Sequence, residues 1–144
     1  GLIVAPGNPL DIRSVTDLTR TGLRFINRNP GSGTRLWVDK ELKKIGILSE
    51  DITDYDHIVN THTACAQAIL NNQADVALGL QASAYQYGLG FIPLFDERYD
   101  LILPRKNETL LTPLLDYIQT AAFRKDLSTL TGYTTTDSGE QITF

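Results

Sequence analysis

The residues best suited to chemistry in this chain are hydroxyls and glycines at one junction, Arg28-Asn29-Pro30-Gly31-Ser32-Gly33-Thr34-Arg35. Glycines let a backbone approach a ligand closely, and the first N–H groups of a helix have no partner within it. Such a run at the start of a helix forms an anion site, with Ser32 and Thr34 as hydroxyl donors and the N–H groups of Gly33 and Thr34 behind them. Arg35, one turn on, is placed to fold back over the anion, and Arg28 to supply a second cation. The plain alternative is an N-cap on a surface turn, with Arg35 solvated.

Two further junctions have similar character. Thr61, His62 and Thr63 stand ahead of a stretch of small residues, with a helix cap at Thr63 as the ordinary reading. Gln81 and Ser83 follow an apolar run and are weaker candidates. Catalysis finds little support. The glycine run lacks the spacing of a nucleophile elbow and the lysine of a Walker loop. His57 and His62 do not make a zinc motif, and Cys65 reads as a packing residue, so neither a metal nor a cofactor is expected.

These junctions must be held by alternating elements. Strands are expected at Leu2–Ala5, Leu23–Asn27, His57–Val59, Asp75–Leu80, Phe91–Leu94 and Tyr99–Leu103, from short apolar or alternating runs bounded by turn residues. The run Asp75-Val76-Ala77-Leu78-Gly79-Leu80 is of the kind covered on both faces, and Pro93 places its strand at an edge or a strand end. A brief helical turn opens at Ser14 or Asp17 and closes at Thr21-Gly22. Helical spacing of Val38, Leu42 and Ile45 predicts a helix running to about Lys44 and stopped by Gly46. Further helices are expected over Ala64–Asn71, through Tyr87 to Gly88, and from a cap at Thr112-Pro113 onward, continuing or restarting from Phe123 to Leu130 before Gly132. The tail from Tyr133 to Phe144 is polar and turn-like. Strands alternating with helices argue an α/β fold, a mainly parallel sheet flanked by helices, and ligands gather at the carboxyl ends of such strands. All three junctions then share one rim.

At 144 residues the chain suffices for one domain with a substantial core. Its net charge of −4 disfavours direct nucleic-acid binding, though a local donor cluster still holds a small anion. No segment has the apolar length of a membrane span, and one cysteine allows no disulfide framework. With no methionine anywhere, the chain is expected to be a piece of a longer protein.

The run Phe25–Arg35, together with Thr61-His62-Thr63-Ala64, Ala74–Leu80, Phe91–Leu94 and Glu97–Leu101, resembles the periplasmic-binding-protein-like domain family related to molybdate- and tungstate-binding proteins. Leu2–Pro9, and Gly132-Tyr133 with Ser138-Gly139-Glu140, match as well. The resemblance implies a three-layer lobe of a type II solute-binding fold. Residues 1–13 would be a crossover strand and turn, 14–95 the second α/β lobe, and 96–144 a return crossover strand with a C-terminal helical segment, the first lobe being largely absent. It implies a ligand-binding, non-enzymatic domain for a small anion such as molybdate or tungstate, at Ser32, Gly33, Thr34, Arg35, Thr61, His62, Thr63 and Gln81. The other readings are an accessory domain of a molybdenum-cofactor biosynthesis enzyme and a protein-interaction module. Relatives of this kind are often fused to helix-turn-helix DNA-binding or molybdopterin-biosynthesis domains in the cytoplasm; a signal peptide on the full protein would instead place it in the periplasm or outside the cell. With half the cleft elsewhere, a homodimer through the C-terminal helix is also expected.

Overall fold

A computed structural model describes residues 1–142 and divides them into two compact units, Gly1–Phe95 and the segment from Asp96 onward. The first unit is built on five strands: β1 (Leu2–Val4), β2 (Phe25–Arg28), β3 (Ile58–Val59), β4 (Val76–Leu78) and β5 (Gly90–Ile92). Their order across the sheet is β3-β2-β4-β1-β5. β2 runs parallel to both β3 and β4, whereas β1 lies antiparallel between β4 and β5. Four strands therefore share one direction, and β1 alone opposes them.

Side-chain alternation along these strands splits the core into two layers. Leu2, Val4, Phe25, Val76 and Leu78 face one side, where they meet Val38 and Leu42 of α1 (Gly33–Ile45) and Val15 and Leu18 of a short 3-10 helix. Ile3, Ile26 and Ala77 face the other, against Cys65, Ala66, Ala68 and Ile69 of α2 (His62–Leu70) and Ala84 of α3 (Gln81–Gln86). The central strands are apolar throughout because both faces are covered. The small residues of α2 let that helix lie close to the sheet. This is the expected α/β architecture in three layers.

Local chemistry fixes the ends. Gly46 takes a left-handed conformation (φ 74°) after α1, and the N–H of Ile47 returns to the carbonyl of Leu42. At the opposite end of the sheet from the helix starts, the Arg24 guanidinium grips the Asp75 carboxylate through Nε and Nη2, at 3.1 and 2.7 Å. That fork ties the beginnings of β2 and β4 together. β5 is an edge strand and ends before Pro93, as a residue without an N–H requires.

The second unit holds α4 (Glu108–Ile118) and α5 (Ala121–Ser128). Two expectations fail here. Tyr99–Leu103 forms no strand: this stretch has no regular structure, and Tyr99, Leu101 and Ile102 are exposed. Its alternating pattern is of strand type, but a strand forms only against a partner edge, and nothing in its own unit offers one. Thr112-Pro113 is not a cap either, since α4 starts at Glu108 and carries Pro113 inside it. The acidic side chain in the first turn favours that earlier start. α5 restarts at Ala121 under a Thr120 cap, whose hydroxyl accepts from the N–H of Phe123. The tail is turn-like through Gly139, and its last two residues lie outside the described ones.

Candidate functional site

β2, β3 and β4 run the same way, so their carboxyl ends lie along one edge, and each leads into a helix there. At the first junction Ser32 caps α1: its hydroxyl accepts from the N–H of Arg35 at 3.2 Å. At the second, Thr61 caps α2 by accepting from the N–H of Ala64 at 3.0 Å. The helix thus begins two residues earlier than expected, and the cap is Thr61 rather than Thr63. Helix geometry leaves the N–H groups of Gly33 and Thr34, and those of His62 and Thr63, without intrahelical acceptors. Because Ser32 and Thr61 accept at the oxygen, their hydroxyl hydrogens remain available to a ligand.

Between these two starts lies Arg28, the last residue of β2, only 9 % exposed. Its Nη2 donates to the carbonyl of Asn60 at 3.1 Å and so ties the first junction to the second. Nε and Nη1 are buried and make no hydrogen bond among the described residues. None of the ion pairs among those residues includes Arg28. A buried cation with no counter-charge costs several kcal/mol, which an incoming anion would offset.

His62 brings in the third junction. Its Nδ1 is buried without a partner, and it faces Gly79, where an added Cβ would lie 3.6 Å away. Burial, then the neighbouring Arg28 charge, then the amino group of Gly1 lower its pKa to about 4, so the imidazole is neutral near pH 7. Cys65, one turn further along α2, is fully buried, and burial pushes its thiol up to about 11 against the opposing pull of Arg28. At neutral pH it is therefore a thiol and not a nucleophilic thiolate. A side chain at Gly79 would force Ile3 to shift, since a Cβ there would come within 2.5 Å of its Cδ1.

Arg35 lies elsewhere than over the helix start. Its Nε donates to Asp39 Oδ1 at 3.0 Å, one turn towards the C-terminus, and its guanidinium lies 4.2 Å over the ring of Tyr55. The Tyr55 hydroxyl donates to the same carboxylate oxygen, and its pKa rises to about 12 through burial and that bond. The arginine is thus held in a structural cluster that braces α1 against the 52–56 loop. The i,i+4 spacing of Arg35 and Asp39 is a sequence signal for this pairing; Tyr55 carries none. Gln81 is the first residue of the six-residue α3 and is half-buried, with no side-chain hydrogen bond among the described residues. Ser32, Gly33 and Thr34 stand at the start of α1 and Thr61, His62 and Thr63 at the start of α2, on the edge where β2 ends in Arg28, whereas the Arg35 side chain turns away to Asp39 and Tyr55.

Comparison with known proteins gives the family. A model described as the PBP superfamily domain matches residues 1–119, most of the chain. The chain belongs to the PBP superfamily. It is similar to the uncharacterized protein YvgK of Bacillus subtilis (strain 168), with 39 % identity over 142 residues. That match covers 99 % of this chain but 46 % of YvgK, so the chain spans less than half the length of that relative. It is also similar to the uncharacterized protein in the ferredoxin 2Fe-2S gene 5' region of Clostridium pasteurianum, at 29 % identity over 109 residues, covering 74 % of this chain and 96 % of that protein. No solved structure matches this PBP-superfamily chain. No helix among the described residues is long and apolar enough to cross a membrane, and no group of His, Cys, Asp or Glu there is arranged to hold a metal ion.

Proposed function

We propose that this PBP-superfamily lobe binds a small anion, an oxyanion such as molybdate or tungstate, at the carboxyl edge of β2, β3 and β4. The observation that carries this reading is Arg28: a guanidinium nine-tenths buried, with two nitrogens unpartnered and no carboxylate beside it. The starts of α1 and α2 flank it with N–H groups that have no acceptor, and both helix dipoles favour negative charge there. Ligand contacts would come from Arg28, the N–H groups of Gly33, Thr34, His62 and Thr63, and the hydroxyls of Ser32, Thr34, Thr61 and Thr63. Gln81, at the third junction, would reach a larger ligand from the side. The role is binding rather than catalysis, because the buried thiol and neutral imidazole supply no activated nucleophile. In a longer protein, a second lobe or a fused DNA-binding domain would read the occupied state.

A thermal-shift panel of molybdate, tungstate, sulfate, phosphate and acetate tests the proposal. A ligand at a hundred times its Kd stabilises by about 2.7 kcal/mol, a rise of several degrees for a chain of this size. The panel is expected to raise the melting temperature for at least one oxyanion in the wild type and for none in Arg28→Met. A flat response to every anion would remove the reading.

A further inference from the structure

A second buried polar group besides the Arg28 guanidinium lies at the start of α2. His62 is the first residue of α2, so its backbone N–H and its side chain both belong to the helix start. Its Nδ1 is buried with no hydrogen-bond partner among the described residues, beside a cation that is itself unpaired. α2 packs on β1, β2, β4 and α3. From those elements and the chain start, the charged or titratable groups facing the imidazole are Arg28 and the amino group of Gly1, which also donates to the carbonyl of Gly79 at 3.0 Å. On its own helix the neighbouring titratable group is the Cys65 thiol, which is neutral. No carboxylate lies on β1, β2, β4, α2 or α3; Asp75, just before β4, is held by Arg24 at the far end of the strand.

An imidazole in such surroundings is kept neutral partly by the bare positive charge of Arg28. An anion on Arg28 cancels that charge and places negative charge within reach of His62 instead. We propose that His62 is a conditional second cation of the site, gaining a proton when an anion occupies Arg28, so that binding draws a proton in with the ligand. This rests on the anion-binding reading above and adds the group that couples it to acidity. The direction follows from reciprocity: if the anion makes His62 easier to protonate, then protonating His62 makes the anion bind more tightly. Affinity is therefore flat at alkaline pH and rises as pH falls through the midpoint of His62 in the occupied site. It levels off again below the anion-free midpoint of about 4. The ligand class this favours is an anion that stays fully ionised in mild acid, because one that gains its own proton there loses the charge that recruits the histidine.

Sulfate is the suitable probe, since it keeps both charges across the whole range. Isothermal titration of the full chain at pH 7.5 and pH 5, in two buffers of different ionisation heat, reads affinity and proton uptake together. The wild type is expected to bind sulfate roughly threefold or more tightly at the lower pH, with a fraction of a proton taken up per anion. His62→Gln keeps a hydrogen-bonding side chain and is expected to bind with no proton uptake and no dependence on pH. An NMR titration of the His62 ring in the wild type should move its midpoint upward when sulfate is saturating. Binding that does not change with pH, proton uptake that persists in His62→Gln, or an unmoved His62 midpoint overturns the proposal and leaves the anion reading standing. No sulfate binding at either pH overturns this proposal, and the flat anion panel described above is the separate result that removes the anion reading.

Discussion

Arg28 makes the most direct demand on the rest of the molecule. Surface arginines lose little by being unpaired, but this one has its Nε and Nη1 sealed from water and from any acceptor. Replacing a buried, uncompensated charge by an apolar side chain of similar length is neutral or stabilising. In anion-free buffer Arg28→Met is therefore expected to match the wild type or exceed it by about 1 kcal/mol in denaturant unfolding. A loss of stability would mean that the guanidinium is structural and is satisfied without a ligand. The same charge governs the acid behaviour of His62. An unfolded histidine titrates near 6.5, while the folded one, at about 4, holds its proton less well. Between those values the unfolded state binds more protons, so without anion, stability falls as pH drops through that window. That component is expected to shrink in Arg28→Met, because the guanidinium charge opposing protonation is gone. Melting curves at closely spaced pH values, compared with His62→Gln, resolve it.

At the scale of elements, α1 and α2 serve both fold and site, and the two roles are separable. Ser32 and Thr61 each satisfy one N–H at a helix start through the side-chain oxygen. Ser32→Ala and Thr61→Ala are each expected to cost about 1 kcal/mol of stability without anion, through the lost cap, and to shrink the anion-induced shift as well, through the lost ligand contact. An effect seen only in the presence of anion would make them ligand contacts first and caps second. Gly46→Ala, at a left-handed position, should cost a similar amount, about 1 kcal/mol, without touching anion response. Caps and stops of this kind are written in adjacent residues, and so are the apolar runs of β1, β2 and β4; this is why the alternation of elements was legible in the sequence. What was not legible depends on distant neighbours. Tyr99-Asp100-Leu101-Ile102-Leu103 has strand chemistry but no strand in its own unit to pair with, and the residues themselves cannot report that. Arg28 and Arg35 flank the same loop and read alike as cations. Only the fold buries the first without a counter-charge and hands the second to Asp39 and Tyr55.

For the whole molecule, the two units are unequal in what they bury. Every residue of both core clusters lies before Phe95, and so does every group around Arg28. In the second unit, neither α4 nor α5 contains a buried residue, and Leu110 is 79 % exposed. Stability scales with apolar burial, so the first unit carries the cooperative core while the second contributes little of its own. A fragment of residues 1–95 is therefore expected to fold and to keep the anion response of the full chain. Its β1 is paired on both sides, by β4 and β5, without help from residues beyond 95. Limited proteolysis should reach the same boundary first, in the irregular stretch from Asp96 to Pro104. The fragment's circular dichroism, its melting cooperativity and its shift with oxyanion together check the idea. A cooperative melt without any anion shift, where the full chain shows one, would mean that residues after 95 complete the site. Failure to melt cooperatively would mean that the second unit is part of the folding core despite its exposure.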